Sequence, residues 1–149
     1  MSIYIPIKPK DTVCVALSGG KDSISLLYNL YIRYCKIQSP KLFAITVDEG
    51  ISYNFEQNQT TIKRFYETYH IDIPLIKTSF KEIFGRTMDQ IMQKIKEEKL
   101  KLNACTVCAS IRRRIINDLA LEMGATKIAI GHNLDDVAQT LLMNVLRND

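Results

Sequence analysis

Apolar residues follow two alternating rhythms along the chain. Short, nearly continuous apolar runs at 13–17, 42–47, 71–76 and 127–130 have the length and β-branched character of buried strands. Between and after them, segments 23–34, 55–69, 87–99, 111–123 and 134–146 repeat apolar positions at helical spacing. Strands alternating with helices predict an α/β fold: an open, mostly parallel, doubly wound sheet with helices on both faces. The stretch from Ile76 to Cys105 is the one irregular connection, holding Gly85 and the charged run 94–101. That run is either a solvated helix face with alternating charges or a contact surface for an RNA backbone. Ligands of such sheets lie beyond the carboxyl ends of the strands, near the reversal of strand order. Residues 18–23, 48–50 and 131–133 all leave strands at that edge.

Composition changes this picture little. The 149 residues suit one domain, 1–149, and 46% hydrophobic with 24% charged residues excludes a disordered or fibrous chain. No apolar stretch approaches the roughly 20 residues of a membrane span, and the first ten residues lack the pattern of a signal peptide. A cytoplasmic protein with no membrane partner is expected. A net charge of +4 permits a nucleic-acid partner without demanding one. Four cysteines in that compartment leave metal binding, catalysis or packing as their roles. Cys14, inside the first strand, and Cys35, near the end of the first helix, are expected to be packed thiols.

The candidate chemistry begins at Ser18-Gly19-Gly20-Lys21-Asp22-Ser23, directly behind the first apolar run. Strand, tight Gly-rich turn and helix start together make an anion site, because backbone N–H groups and the positive helix end face the ligand. Ser18 and Ser23 add hydroxyls, and Lys21 adds a charge. Asp22 has the wrong sign for a phosphate cradle unless it orients the turn or shares magnesium with the phosphates. The stretch is neither a Walker nor a dinucleotide motif. It resembles the PP-loop of the N-type ATP pyrophosphatases.

Two further motifs follow. Cys105-Thr106-Val107-Cys108 places two thiols just ahead of a predicted helix, with Arg112-Arg113-Arg114 close behind. The spacing suits soft-metal ligation, a redox pair or two packed cysteines, and the arginines and helix start are expected to lower the thiol pKa values. No second CxxC or paired histidine completes a zinc site, so one edge of an iron–sulfur cluster fits better. In Gly131-His132-Asn133-Leu134-Asp135-Asp136, Gly131 permits close backbone approach and Asn133 or Asp135 can cap the next helix. Asp136 can face the phosphate edge, hold magnesium or orient a polar substrate.

SGGKDS, Val47-Asp48-Glu49-Gly50-Ile51, the CxxC with its arginines and GHNLDD, in that order, resemble the tRNA 2-thiouridine synthetases, with the 2-thiocytidine synthetases as cousins. The resemblance runs from about Val13 to the end of the chain. It implies an adenine nucleotide alpha hydrolase-like fold and an ATP-dependent tRNA sulfurtransferase. In that chemistry ATP adenylates the C2 oxygen of a tRNA uridine, pyrophosphate leaves, and sulfur displaces AMP. It implies nucleotide contacts from Ala16, Ser18, Gly19, Gly20, Lys21, Asp22, Ser23, Asp48, Arg112 and Gly131. Lys21, Asp22 and Asp136 carry catalysis, and Cys105 and Cys108 are two of three ligands to a 4Fe–4S cluster.

The implied cofactors are therefore ATP, magnesium and that cluster, and the partners are tRNA and a sulfur donor such as a ubiquitin-like thiocarboxylate carrier. Ala109 stands where the family has glycine, and the family's zinc ribbon, third cluster cysteine and C-terminal tRNA-binding region have no counterpart here. The chain is accordingly expected to be the N-terminal catalytic part of a longer protein. A homodimer could join the cysteines of two chains into a four-thiolate site. Competing readings are another PP-loop adenylating enzyme, such as a tRNA lysidine synthetase or an ammonia-using ligase, and a nucleotide-binding module without chemistry.

Overall fold

The computed structural model describes residues 6–36, 39–51, 55–100 and 102–147. Strands β1 (Thr12–Ala16), β2 (Lys41–Asp48), β3 (Leu75–Ser79) and β4 (Lys127–Ile130) form one parallel sheet in the order β3-β2-β1-β4. The helices are α1 (Lys21–Tyr34), α2 (Phe55–Thr68), α3 (Phe80–Phe84), α4 (Met88–Glu97), α5 (Ala104–Glu122) and α6 (Leu134–Arg147). The chain winds outward from β1 through β2 to β3, then recrosses to place β4 on the other side of β1. Strand order therefore reverses between β1 and β4, and the turns leaving those two strands flank the crevice.

Strand β1 is central and covered on both faces, so Val13, Cys14 and Val15 are fully buried. On one face Leu27 of α1 and Ile62 and Phe65 of α2 pack on Val15, Leu17 and Ala44. On the other, Ala120 of α5 packs on Cys14, Phe43 and Ile45, while Phe80, Met88, Cys108 and Ile115 join α3, α4 and α5. The doubly wound expectation holds. Cys14 is a packed thiol, as expected, and burial pushes its pKa up to about 11. Helix α6 keeps Leu134, Leu141 and Leu142 exposed, and β4 exposes Ile128 and Ile130.

Three local expectations need correction. The third strand starts at Leu75 and runs through Lys77 and Thr78 to Ser79, later than the 71–76 expected. Ile71 and Ile73 are buried, but as core plugs entering the sheet, and strand-like pairing begins where the Pro74 carbonyl accepts from the Ala44 N–H at 2.8 Å. The connection expected to be irregular contains α3 as well as α4. Ser79 and Glu82 close a capping box at the start of α3, and Gly85, at φ 71°, ends it. Finally, α5 begins at Ala104, seven residues earlier than expected, because the Asn103 side chain accepts from the Cys105 N–H at 2.8 Å. Lys101, at the end of the charged run, lies outside the described residues.

The amino-terminal edge of the sheet is tied by charge. Asp11 accepts from the Lys127 ammonium and from the Lys8 N–H, joining the entries to β1 and β4. Those bonds, Lys127 first, hold its carboxyl at about 2, below its ordinary 3.8. A depressed carboxylate stabilises the fold above its unfolded pKa, and that contribution fades as pH falls from 3.8 toward 2. Asp11→Asn is therefore expected to flatten the acid limb of stability in that window, read by urea melts at stepped pH. An unchanged limb would show that the pair contributes nothing.

Candidate functional site

The turn after β1 is organised from within. Ser23 is buried in the first turn of α1. Its hydroxyl donates to the Gly20 carbonyl at 2.9 Å and accepts from the Ser18 N–H at 3.2 Å, with the Ser18 hydroxyl 3.1 Å away. Gly20 precedes α1 and no side chain caps that helix. The contrast is informative: Ser79, Thr87, Asn103 and Asn133 each accept a backbone N–H at the start of α3, α4, α5 and α6. The first-turn N–H groups of α1 are thus left facing the crevice, where an anion satisfies them best. Lys21 and Asp22 are exposed beside them, and Ala16 ends β1 between Ile45 and Ile130.

Two glycines set how closely the walls approach. Gly19 lies at φ 85°, and a Cβ there would stand 3.0 Å from both Cβ and O of Asn58 on α2. A Cβ on Gly131, after β4, would meet the Ser23 nitrogen at 2.8 Å and the Asp22 carbonyl carbon at 2.9 Å. The turn after β4 therefore lies directly on the start of α1, as the predicted close approach required. Beyond it, Asn133 and Asp136 bond reciprocally, each N–H donating to the other's side chain at 2.9 Å. Asn133 is the cap of α6, and Asp136 holds that cap with one oxygen.

The third wall is the exit of β2. Asp48 accepts from the Gly50 N–H at 2.7 Å, and a Cβ on Gly50, at φ 70°, would lie 2.6 Å from the Thr87 Cβ. Glu49 reaches across to α5, where Arg112 Nη1 donates to its Oε1 at 2.5 Å. Glu49 also acts on the Cys108 thiol, disfavouring its thiolate. Glu49 is the residue that sequence reasoning passed over in favour of Asp48. Its signal was present: an acid at the carboxyl end of a strand, followed by a turn glycine.

Cys105 and Cys108 lie within α5, on its first two turns, and not ahead of a helix as expected. Spaced three apart, they share one helix face; Cys105 is exposed and Cys108 buried. The expected lowering of thiol pKa is reversed at Cys108, which burial and Glu49 push up to about 12. Arg112 pulls the other way but is already held by Glu49. The pair fits two ligands of a thiophilic group, and among the described residues no cluster of three or more His, Cys, Asp or Glu could hold a metal ion. Asp22, Asp48 and Asp136 lie at or after the carboxyl ends of β1, β2 and β4 and, among the described residues, form no such cluster. Magnesium bound mainly through phosphates needs only one or two of them.

The PP-loop domain family matches residues 2–149. The chain is 42% identical over 145 residues to the cytoplasmic tRNA 2-thiolation protein 1 of Chlamydomonas reinhardtii, covering 95% of this chain and 38% of that one. The protein of the same name from Xenopus laevis is 40% identical over 144 residues, with 95% and 40% covered. The chain thus spans about two-fifths of the length of the curated relatives it matches. Among solved structures, it resembles the U34-tRNA thiolase NcsA from Methanococcus maripaludis with its 4Fe–4S cluster, with TM-score 0.81, 36% identity, and 96% and 45% covered. An NAD+ synthetase from Burkholderia pseudomallei shares the fold alone, with TM-score 0.50, 13% identity, and 79% and 51% covered.

Proposed function

The chain belongs to the PP-loop domain family, and from that premise we propose that residues 1–149 form the adenylating domain of a cytoplasmic tRNA 2-thiouridine synthetase. ATP lies with its phosphates on the Ser18–Ser23 turn. The C2 oxygen of a tRNA uridine attacks the α-phosphorus, the bond to the β-phosphate oxygen breaks, and pyrophosphate leaves. Sulfur then forms a bond to C2 while the C2–oxygen bond to AMP breaks. The observation that carries this reading is the uncapped start of α1 at the reversal of strand order, with Gly131 lying against it. Preorganised N–H groups there meet the growing charge of pyrophosphate without reorganising, and Lys21 adds a cation.

Magnesium would be held by Asp22 and Asp136 together with the phosphates. Arg112 turns from Glu49 to the nucleotide when phosphate competes for it. Cys105 and Cys108 supply two ligands of a 4Fe–4S cluster whose remaining ligation comes from outside the described residues. The cluster, when bound, supplies the sulfur-handling chemistry. The partners are tRNA and a sulfur donor such as a ubiquitin-like thiocarboxylate carrier.

The test is ATP binding followed by tRNA-dependent release of pyrophosphate. Lys21→Ala is expected to weaken ATP roughly ten- to a hundredfold, the loss of one charge-assisted bond. Pyrophosphate absent with every tRNA, and Asp22 and Asp136 dispensable for binding, would leave a nucleotide-binding module. Full turnover in Cys105→Ser/Cys108→Ser would point to a lysidine synthetase or an ammonia-using ligase.

A further inference from the structure

The function described above leaves unused the corner where α3 meets α4. A groove of about 520 Å³ there is lined by Gly85, Arg86, Gln90, Gln93, Lys94 and Glu97. The four α4 residues recur at helical spacing and so form one face. Phe84, next to Gly85 in the chain, is 48% exposed although its helix anchors Phe80 fully in the core. A solvated aromatic ring two residues from an arginine in the chain is unexplained by packing.

We propose that this corner is a contact surface for a single-stranded RNA loop, the loop whose uridine reaches the PP-loop crevice; the proposal rests on the tRNA reading above. Unstacked bases pair with exposed aromatic rings and with side-chain amides, and phosphates with fixed cations. Charge favours that partner. Arg86 and Lys94 line the groove, and Lys77, Lys81, Lys96 and Lys99, in the same stretch of chain, are exposed. Four acids share that stretch with its six cations, Glu82, Asp89, Glu97 and Glu98; Glu82 is held in the Ser79 capping box and Glu97 accepts from Gln93 at 3.1 Å. Glu98 pairs with Lys94 at 3.7 Å, an exposed contact that phosphate can displace. The polar lining argues against an apolar peptide.

Position favours it too. Thr87 packs on Gly50, and the Met88 N–H donates to the Glu49 carbonyl at 2.8 Å. Arg86 is thus one residue from the wall that carries Asp48 and Glu49. A strand lying along α4 leads directly to the carboxyl edge of the sheet.

The experiment is fluorescence anisotropy of the full 149-residue chain with a labelled tRNA anticodon stem–loop, titrated at several salt concentrations, with ATP binding measured in parallel. Arg86→Ala/Lys94→Ala is expected to weaken RNA binding and to lower the slope of log K against log salt by about 0.7 for each phosphate no longer neutralised. Phe84→Ala is expected to weaken binding at least about fivefold with the slope unchanged. Lys63→Ala/Arg64→Ala, the same charge change on α2, is expected to leave RNA binding as it was. RNA bound equally by all variants would overturn this surface and leave the tRNA reading standing. No RNA bound by the wild type, with ATP bound normally, would overturn both the surface and the tRNA substrate while sparing the nucleotide site.

Discussion

Gly131→Ala is expected to cost ATP binding at least tenfold and to lower stability by about 1–3 kcal/mol, the usual cost of overpacking. The new methyl would meet backbone atoms of Asp22 and Ser23 at 2.8–2.9 Å. Flexible side chains yield to such contacts, whereas the start of a helix does not. Relief must come from moving β4 away from α1, which widens the crevice where the phosphates sit. The comparison is Gly124→Ala, which places its Cβ in open space at φ 72°. That substitution is expected to cost roughly 1–2 kcal/mol in left-handed strain and to leave ATP affinity unchanged. Calorimetric titration and thermal melts on both variants separate the cases. Wild-type affinity in Gly131→Ala would show that the close approach serves packing alone.

The second large effect is expected at Ser23. Its buried hydroxyl satisfies the Ser18 N–H and the Gly20 carbonyl, holding both ends of the turn in one shape. Ser23→Ala leaves the Ser18 N–H without a partner, at about 1–3 kcal/mol, while the Gly20 carbonyl keeps the Ile24 N–H at 3.1 Å, and it releases the loop that presents the α1 N–H groups. Stability and ATP affinity should fall together. Ser18→Ala, at an exposed position, removes only a 3.4 Å bond from the Gly20 N–H and the hydroxyl pair with Ser23. It is expected to weaken ATP with little change in melting temperature. Equal losses in both variants would mean that Ser23 binds the ligand without shaping the turn.

Much of this was legible because the deciding forces are local. Runs such as Val13-Cys14-Val15 are buried on both faces of a central strand, so they stand out without tertiary knowledge. Gly131 announced a close approach, and the close approach is there. Misreadings came where the edge of the sheet or a cap overrode periodicity. Among the described residues strand β3 pairs only with β2, so Lys77 and Thr78 fit it, while Ile71 and Ile73 mimicked a strand by plugging the core. A single asparagine, Asn103, drew the two cysteines into α5. The raised Cys108 thiol reflects burial first and then Glu49, far away in the sequence, which also holds Arg112. Long-range pairing of that kind leaves no trace in spacing.

The exposed face of α6 bears on how the protein behaves in a tube rather than on its chemistry. Leu134 and Leu146 are 82% and 78% exposed, and Ile130 on β4, the end strand of the sheet among the described residues, is 52% exposed. An open strand edge flanked by aliphatic side chains is a template for intermolecular pairing. Colloidal stability of the isolated chain is therefore expected to be limited by this flank, and charged substitutions at Leu141 or Leu142, away from the Ser18–Ser23 turn in the chain, are expected to improve solubility.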